Sequence, residues 1–430
     1  MQDRLRAIFC DHLSIVRGKY LPNSKIADSE TRFCRSTFGV HYDKDLLDAP
    51  GAMMMDGLPD MELRWKHDEI RDSWDDHTKI VIGDLYDDAG ALLPLCPRGA
   101  LKRAVADWQD LGLTPMVGIE LECFAMQAGD DGRLVPYDTP GGVVYGTGPF
   151  SDPLRFNDAI WEAADRLGFR LDMITAEYDS PQFEYTLTFD AAVKAVDDIV
   201  LFRLMAREIA LEHGIVLTFM PKPISGAGGS GMHINFSFTD KAGGNALAPD
   251  AKRGGPDHMN DLARGCVAGL MHHHKALAGL IAPTANSYQR LQPGALAGFW
   301  QNWGGDHRNV TTRVSSEAGP KARLEHRMAD ASANPYTAVA AVLQAARLGY
   351  VEKYKLGPRE TGDGFDRTDA RISTAVSLKE AVADLRRDPK LTSAVGQLLC
   401  DNHAFMKDRE AKKTKDLEGD ALRDFYVHFV

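Results

Sequence analysis

The chain of 430 residues has only six cysteines: Cys10, Cys34, Cys96, Cys123, Cys266 and Cys400. None forms a C-x-x-C pair. The scatter excludes a disulfide scaffold and a zinc knuckle, and it fits free thiols in a reducing, cytoplasmic setting. No segment approaches the roughly 18 uninterrupted apolar residues of a membrane span. The segment Asp3–Arg4–Leu5–Arg6 is charged where a secretory leader would need its apolar run. Positive charge is in deficit too. Lys plus Arg is 50 against 61 for Asp plus Glu, a net charge of −11. That balance argues against nucleic acid or an anionic membrane as a partner. Fixed-period repeats and low-complexity tracts are absent.

What is present is ordinary globular material, 44% hydrophobic and 26% charged. The first 95 or so residues read as short strands and turns. From Pro97 the pattern changes to helical spacing over Arg98–Gly112, which places a boundary near Leu95–Pro97. Strands are then expected at Met116–Met126, Phe183–Leu187 and Gly231–Phe238, with two more within Arg308–Met328. Helices are expected at Asn157–Leu167, Ala191–Gly214, Asn260–Leu280 and Pro335–Gly349, and the last 70 or so residues look mostly helical. No regular alternation of strand and helix is visible. The fold class is therefore α+β with an antiparallel sheet.

Three acidic stretches stand out. In Val117–Phe124, Glu120 and Glu122 share one strand face, while Ile119, Leu121 and Cys123 share the other. Two adjacent carboxylates on an apolar segment call for a positive partner, and hard divalent cations take oxygen ligands of this kind. A solvent-facing polar stripe would have the same alternation. Glu177–Glu184 places Gln182 and Glu184 on one face. Gly226–Ser237 runs a glycine-rich loop into a strand on which His233, Asn235 and Ser237 face one way. Such a loop lets backbone N–H groups approach an anion.

Between residues 286 and 327 lies the basic cluster that the net charge conceals: Arg290, Arg308, Arg313, Arg323 and Arg327. Arginine forks bind carboxylate and phosphate bidentately. Carboxylates, a glycine loop and arginines together suggest phosphoryl chemistry on an anionic substrate, and a network of surface ion pairs is the plainer alternative. His272, His273 and His274 are consecutive. On a helix they point about 100° apart, so they are read as helix-face residues and not as a site.

Taken together, Gly118–Ile–Glu–Leu–Glu122, Glu177…Gln182–Phe–Glu184, Gly229–Ser–Gly–Met–His233, Asn286–Ser–Tyr–Gln–Arg290, Arg323–Leu–Glu–His–Arg327 and Asp330–Ala–Ser–Ala–Asn–Pro–Tyr336 resemble the motifs of the glutamine synthetase family, in the family's order. Arg17–Gly–Lys19 and Pro59–Asp–Met61 resemble its small N-terminal β-grasp domain. The resemblance implies a β-grasp domain over 1–95 and a catalytic domain over 96–430 that binds ATP, metal and glutamate. It implies a homo-oligomer of two stacked rings with active sites between subunits. The implied reaction uses ATP to phosphorylate the side-chain carboxylate of glutamate, and an amine then displaces phosphate.

Position by position, the resemblance assigns Glu122, Glu177 and Glu184 to one metal ion and Glu120, His233 and Glu325 to a second, as Mg²⁺ or Mn²⁺. Arg290 and Arg327 match residues that hold glutamate carboxylates, and Gly229 matches a backbone contact to glutamate. Arg308 and Arg313 match phosphate-binding arginines, while Arg323 and Ser237 match nucleotide contacts. Arg308, Arg290 and Glu177 are the expected catalytic groups.

The departures concentrate around the amine. The family's flap glutamate is Leu296 here, and Asp56–Gly57 is followed by Leu58–Pro59 where the family has Asp–Gly–Ser–Ser. Tyr145 falls near another residue of that pocket. Gly228 stands in place of an asparagine that contacts glutamate, Asn235 in place of a second histidine near phosphate, and Pro181 in place of a glycine. The regulatory tyrosine loop of some bacterial members is not recognisable in Leu356–Arg367. The expectation is a ligase whose donor is an alkylamine such as methylamine, with Glu177 or Asp179 as the base. Ammonia as donor, or a non-catalytic regulatory protein, are the alternatives.

Overall fold

In the computed structural model, residues 3–248, 252–365 and 367–430 are described. Asp366, within the segment where a regulatory loop was sought, lies outside them. The N-terminal part forms two small sheets. Arg4–Cys10 is central to one, pairing antiparallel with Val16–Pro22 and parallel with Thr78–Ile82. Glu30–Cys34, Asp60–Arg64 and Asp84–Tyr86 form the other. Leu5, Ala7 and Phe9 face a core with Phe38, Met61 and Leu63.

The large sheet is organised by one strand, Thr114–Ala128. On one side it pairs with Gln182–Leu187, and that strand with Leu171–Ala176. On the other side lie Met232–Thr239, Leu324–His326, Thr312–Val314 and Trp303–Gly304 in turn. Every pairing is antiparallel except that of Trp303–Gly304 with Thr312–Val314. Ile119, Leu121 and Cys123 are buried, as the alternation requires. Behind that face packs the helix Ala192–Glu212, whose Val196, Ile199, Phe202 and Met205 are buried.

Helix Pro335–Val351 crosses Asp261–His272 at close range. A Cβ on Gly349 would collide with the Gly265 carbonyl, so the crossing depends on hydrogen in place of a side chain.

Two expectations need correction. The helix expected over Asn260–Leu280 is two helices, Asp261–His272 and His274–Ile281, because His273 leaves helical geometry at φ −91° and ψ 9°. The three histidine rings consequently meet different partners. His272 packs on Tyr354, His273 Nδ1 lies 2.5 Å from Asp388, and His274 Nε2 lies 3.4 Å from the Phe299 carbonyl. Secondly, the strands within Arg308–Met328 are only three residues each. Arg323 and Arg327 therefore flank the strand Leu324–His326 and do not lie within it.

Buried imidazoles give the fold a pH dependence. Burial lowers His326 and His403 to about 3 and His274 to about 4. The unfolded chain protonates each near pH 6.5, well before the folded chain does. Stability therefore falls as pH drops below 6.5, by about 1.4 kcal/mol per unit for each ring, until the folded value is reached. We expect chemical denaturation of His403→Gln to show a pH 7 to pH 5 loss smaller than wild type by about one proton's worth. Equal losses in the two proteins would contradict this account.

Candidate active site

Register brings the acidic positions together. Glu122 lies opposite Glu184, and Glu120 lies opposite His233 on the other neighbouring strand. One strand further, Asn235 lies opposite Glu325, which in turn lies opposite Arg313. Ser237 continues the same face beyond Asn235.

The side chains meet accordingly. His233 Nδ1 is 3.1 Å from Glu120 and 3.8 Å from Glu325, and its Nε2 is 3.7 Å from Glu122. Glu120, Glu184 and His233 offer ligand atoms that all lie within 4.8 Å of one another. This trio crosses the division into two ion sites that the motif resemblance implied, because His233 projects between carboxylates of both sets.

Crowding shows in the proton affinities. Burial would raise Glu120, but the hydrogen bond and charge of His233, with Arg327, outweigh it and hold the carboxyl at about 2. Glu184 is pushed up to about 9, first by burial and then by Glu120, Glu122 and Glu177. Burial and Glu122 raise Glu177 as well. Several carboxylates with one imidazole in a cleft form an oxygen-rich donor set for hard divalent cations. Such a cation would offset both the burial and the repulsion that raise Glu184. The residues present therefore fit divalent metal.

The glycine loop behaves differently from the expectation. Its N–H groups do meet anions, but these are the chain's own: Gly231 N donates to Glu122 at 2.6 Å, and Gly228 N donates to Asp179. Gln182 Nε2 also donates to Glu122, at 3.3 Å, and to the Gly229 carbonyl at 3.1 Å. The glycines permit close approach. A Cβ at Gly229 would sit 2.6 Å from Arg290 Cγ, and one at Gly231 would sit 2.7 Å from His233 Nε2.

The arginines line the same space. Arg290 is buried and donates to the Met328 and Arg327 carbonyls at 2.9 and 3.2 Å. Arg313 donates to Glu325 at 3.0 Å and also to Asp306. Arg327 donates to Glu325. Arg308 is exposed at the rim, close enough to Glu177 and Asp306 for their charges to interact.

A cleft of about 510 Å³ collects Glu120, Glu122, Glu177, Glu184, His233, Gly229, Arg290, Arg308, Arg313, Arg327, Tyr145 and Leu296. Glu325, Asn235, Arg323 and Ser237 are not on its wall. Asn235 donates to Glu120 at 3.1 Å and accepts from Arg323 at 3.2 Å, joining the carboxylates to that arginine. Ser237 is half-buried at the far end of that row.

Lys222 also lines the cleft, and nothing in the sequence reading pointed to it. Its only signal was a lysine between two prolines just ahead of the glycine loop. Asp179, singled out only for its nearness to Glu177, faces the same space.

A model of the glutamine synthetase catalytic domain matches residues 94–424. A glutamine synthetase from Halobacterium salinarum is 30% identical over 440 residues, covering 99% of this chain and 93% of that protein. A structure of GmaS with ADP superposes with a TM-score of 0.84 at 25% identity, over 99% of this chain and 97% of the other. A crystal structure of a glutamine synthase homolog gives a TM-score of 0.86 at 24% identity, which concerns the fold alone. It covers 100% of this chain and 99% of the other.

Proposed function

The chain belongs to the glutamine synthetase family and is an ATP-dependent amide ligase; from that premise we propose that it joins glutamate to an alkylamine such as methylamine, forming a γ-glutamylamide. One observation carries this reading. Leu296, an apolar and 45% exposed residue, lines the cleft that holds the carboxylate cluster. The motif resemblance expects a glutamate there. An anionic wall suits a small ammonium ion, whereas a leucine wall adds contact area for an alkyl group. Tyr145 and Tyr178 add aromatic surface to the same cleft.

The proposed roles follow from charge. Bound divalent ions, two in our reading and Mg²⁺ by preference, offset the charge of the ATP phosphates. Arg290 and Arg327 hold glutamate. Arg308 and Arg313 stabilise the charge that spreads over the phosphoryl group in transfer. Phosphorylation converts an inert carboxylate into an acyl phosphate, whose phosphate the amine displaces. Asn235, Arg323 and Ser237 are assigned to the nucleotide side, and Glu177, raised by burial, to the proton of the attacking amine.

We further propose the division into a β-grasp domain over 1–95 and a catalytic domain over 96–430, assembled as stacked rings. Exposed Tyr145, Phe150 and Tyr178, and exposed Met55 and Leu58 on the N-terminal part, suit burial between subunits. Within the described residues, no helix is long and apolar enough to cross a membrane.

The test is steady-state ADP release with glutamate and a series of amines. We expect kcat/KM for methylamine to exceed that for ammonia by about tenfold or more, the scale on which one methyl group discriminates. Leu296→Glu should reverse much of the difference. A wild-type preference for ammonia would leave an ordinary glutamine synthetase. No turnover with any amine would leave a regulatory protein.

A further inference from the structure

Within the ligase reading, on which this inference rests, Asp179 has no task among the cleft residues. Asp179 follows Glu177 by two positions and reaches across to the glycine loop, where its Oδ2 accepts the Gly228 N–H. A Cβ at Gly228 would lie 3.0 Å from that same oxygen and 3.5 Å from Gln182 Oε1. The space a side chain at 228 would need is therefore taken by the Asp179 carboxylate. The side chain of Arg290 runs along the same loop, its Cδ 3.0 Å from the Cβ position of Gly229 and its guanidinium Nη2 2.8 Å from that of Gly231.

An anion and a cation are thus seated along one short glycine stretch, three positions apart, and both side chains line the cleft. That is the pattern needed to read a zwitterion, whose carboxylate and ammonium branch from a single carbon. Arg290 is buried and has two donors on backbone carbonyls, which fixes its fork and leaves other N–H groups of the five. A carboxylate has about four lone-pair sites, and the Gly228 N–H takes one of those on Asp179. Lys222, the neighbouring cation, donates to the Ala227 carbonyl at 2.7 Å; it lies close enough to Asp179 for their charges to interact, without a hydrogen bond between them.

We infer that Asp179 binds the α-ammonium group of the amino-acid acceptor, opposite Arg290 on its α-carboxylate, and so determines that the acceptor is an α-amino acid and not a plain dicarboxylate. The phosphorylated carboxylate then points away from Gly228–Gly229, toward the Glu120–Glu184–His233 cluster and Arg308.

The test compares L-glutamate with glutarate, which lacks only the amino group. Calorimetric binding is measured on the full chain, wild type and Asp179→Asn. Asparagine retains an oxygen for the Gly228 N–H and removes the charge. A hydrogen bond to a charged group is worth about 1.5–3 kcal/mol, so wild type should favour glutamate by about 10–100-fold. In Asp179→Asn that preference should collapse, with glutarate affinity unchanged. Parallel weakening of both ligands would mean a structural role for Asp179 and would overturn the inference, as would an intact preference. A rise in amine KM with normal glutamate binding would place Asp179 on the donor side, against our assignment. The comparison of glutamate with glutarate by calorimetry does not depend on turnover. A protein that discriminates glutamate from glutarate through Asp179 but releases no ADP with any amine would remove the ligase reading and leave this inference standing.

Discussion

Glu184→Ala is expected to abolish turnover and yet to raise the stability of the protein in EDTA. Both effects come from the same crowding. In the wild-type protein Glu184 is pushed up to about 9, by burial first and then by the charges of Glu120, Glu122 and Glu177. A carboxyl that must hold a proton at neutral pH in the folded chain, but not in the unfolded one, destabilises the fold. Alanine removes that cost. It also removes one of the oxygen donors among which Mg²⁺ would sit. Loss of transition-state charge stabilisation of several kcal/mol would lower kcat/KM on the order of 10³-fold or more. The melting temperature separates the two effects. Wild type should gain stability on addition of Mg²⁺, while Glu184→Ala should start higher in EDTA and gain little. A variant with a wild-type Mg²⁺ response would show that Glu184 is not a ligand.

Arg308→Ala should lower kcat on the order of 10³-fold, as loss of an arginine that stabilises a transferring phosphoryl group commonly does. Its fold should be untouched, because Arg308 is exposed at the cleft rim and contributes nothing to the core. Lysine should restore little, since a point charge cannot reproduce the planar fork. Nucleotide affinity is the discriminating measurement. If Arg308 acts in the transition state, ADP binding should change far less than kcat. A fall in ADP affinity that accounts for the whole loss would make it a ground-state contact.

How much of this was legible beforehand differs by residue. Alternation in Val117–Phe124 told which residues share a face, and Cys123 is indeed on the buried side with Ile119 and Leu121. It could not tell which strands become neighbours. Glu120 meets His233 across 113 positions of chain, and Glu122 meets Gln182 across 60. Pairings at that separation are set by how helices such as Ala192–Glu212 cover the sheet, which no local pattern encodes. The motif resemblance supplied what periodicity lacked. It did not supply Lys222, whose flanking prolines carry no period, nor the break at His273. It also could not reveal that Gly231 and Gly228 give their N–H groups to Glu122 and Asp179, because backbone donors look alike in any glycine-rich stretch.

The fifteen-residue strand Thr114–Ala128 has a consequence for how the chain can lengthen or shorten. Over Val117–Cys123 one side carries Glu120 and Glu122 and the other carries buried Val117, Ile119, Leu121 and Cys123, and the strand is paired along both edges. Inserting or deleting one residue near Gly118 would move Glu120 and Glu122 to the buried face and swing Leu121 or Cys123 into the cleft. Such an indel would destroy chemistry and packing together. Two-residue changes keep the faces but shift Glu120 away from His233. Length variation is therefore best borne at the turn Asp130–Gly132, where a change reaches only the short hairpin pairing with Leu134–Pro136 and leaves the register of Glu120 and Glu122 intact.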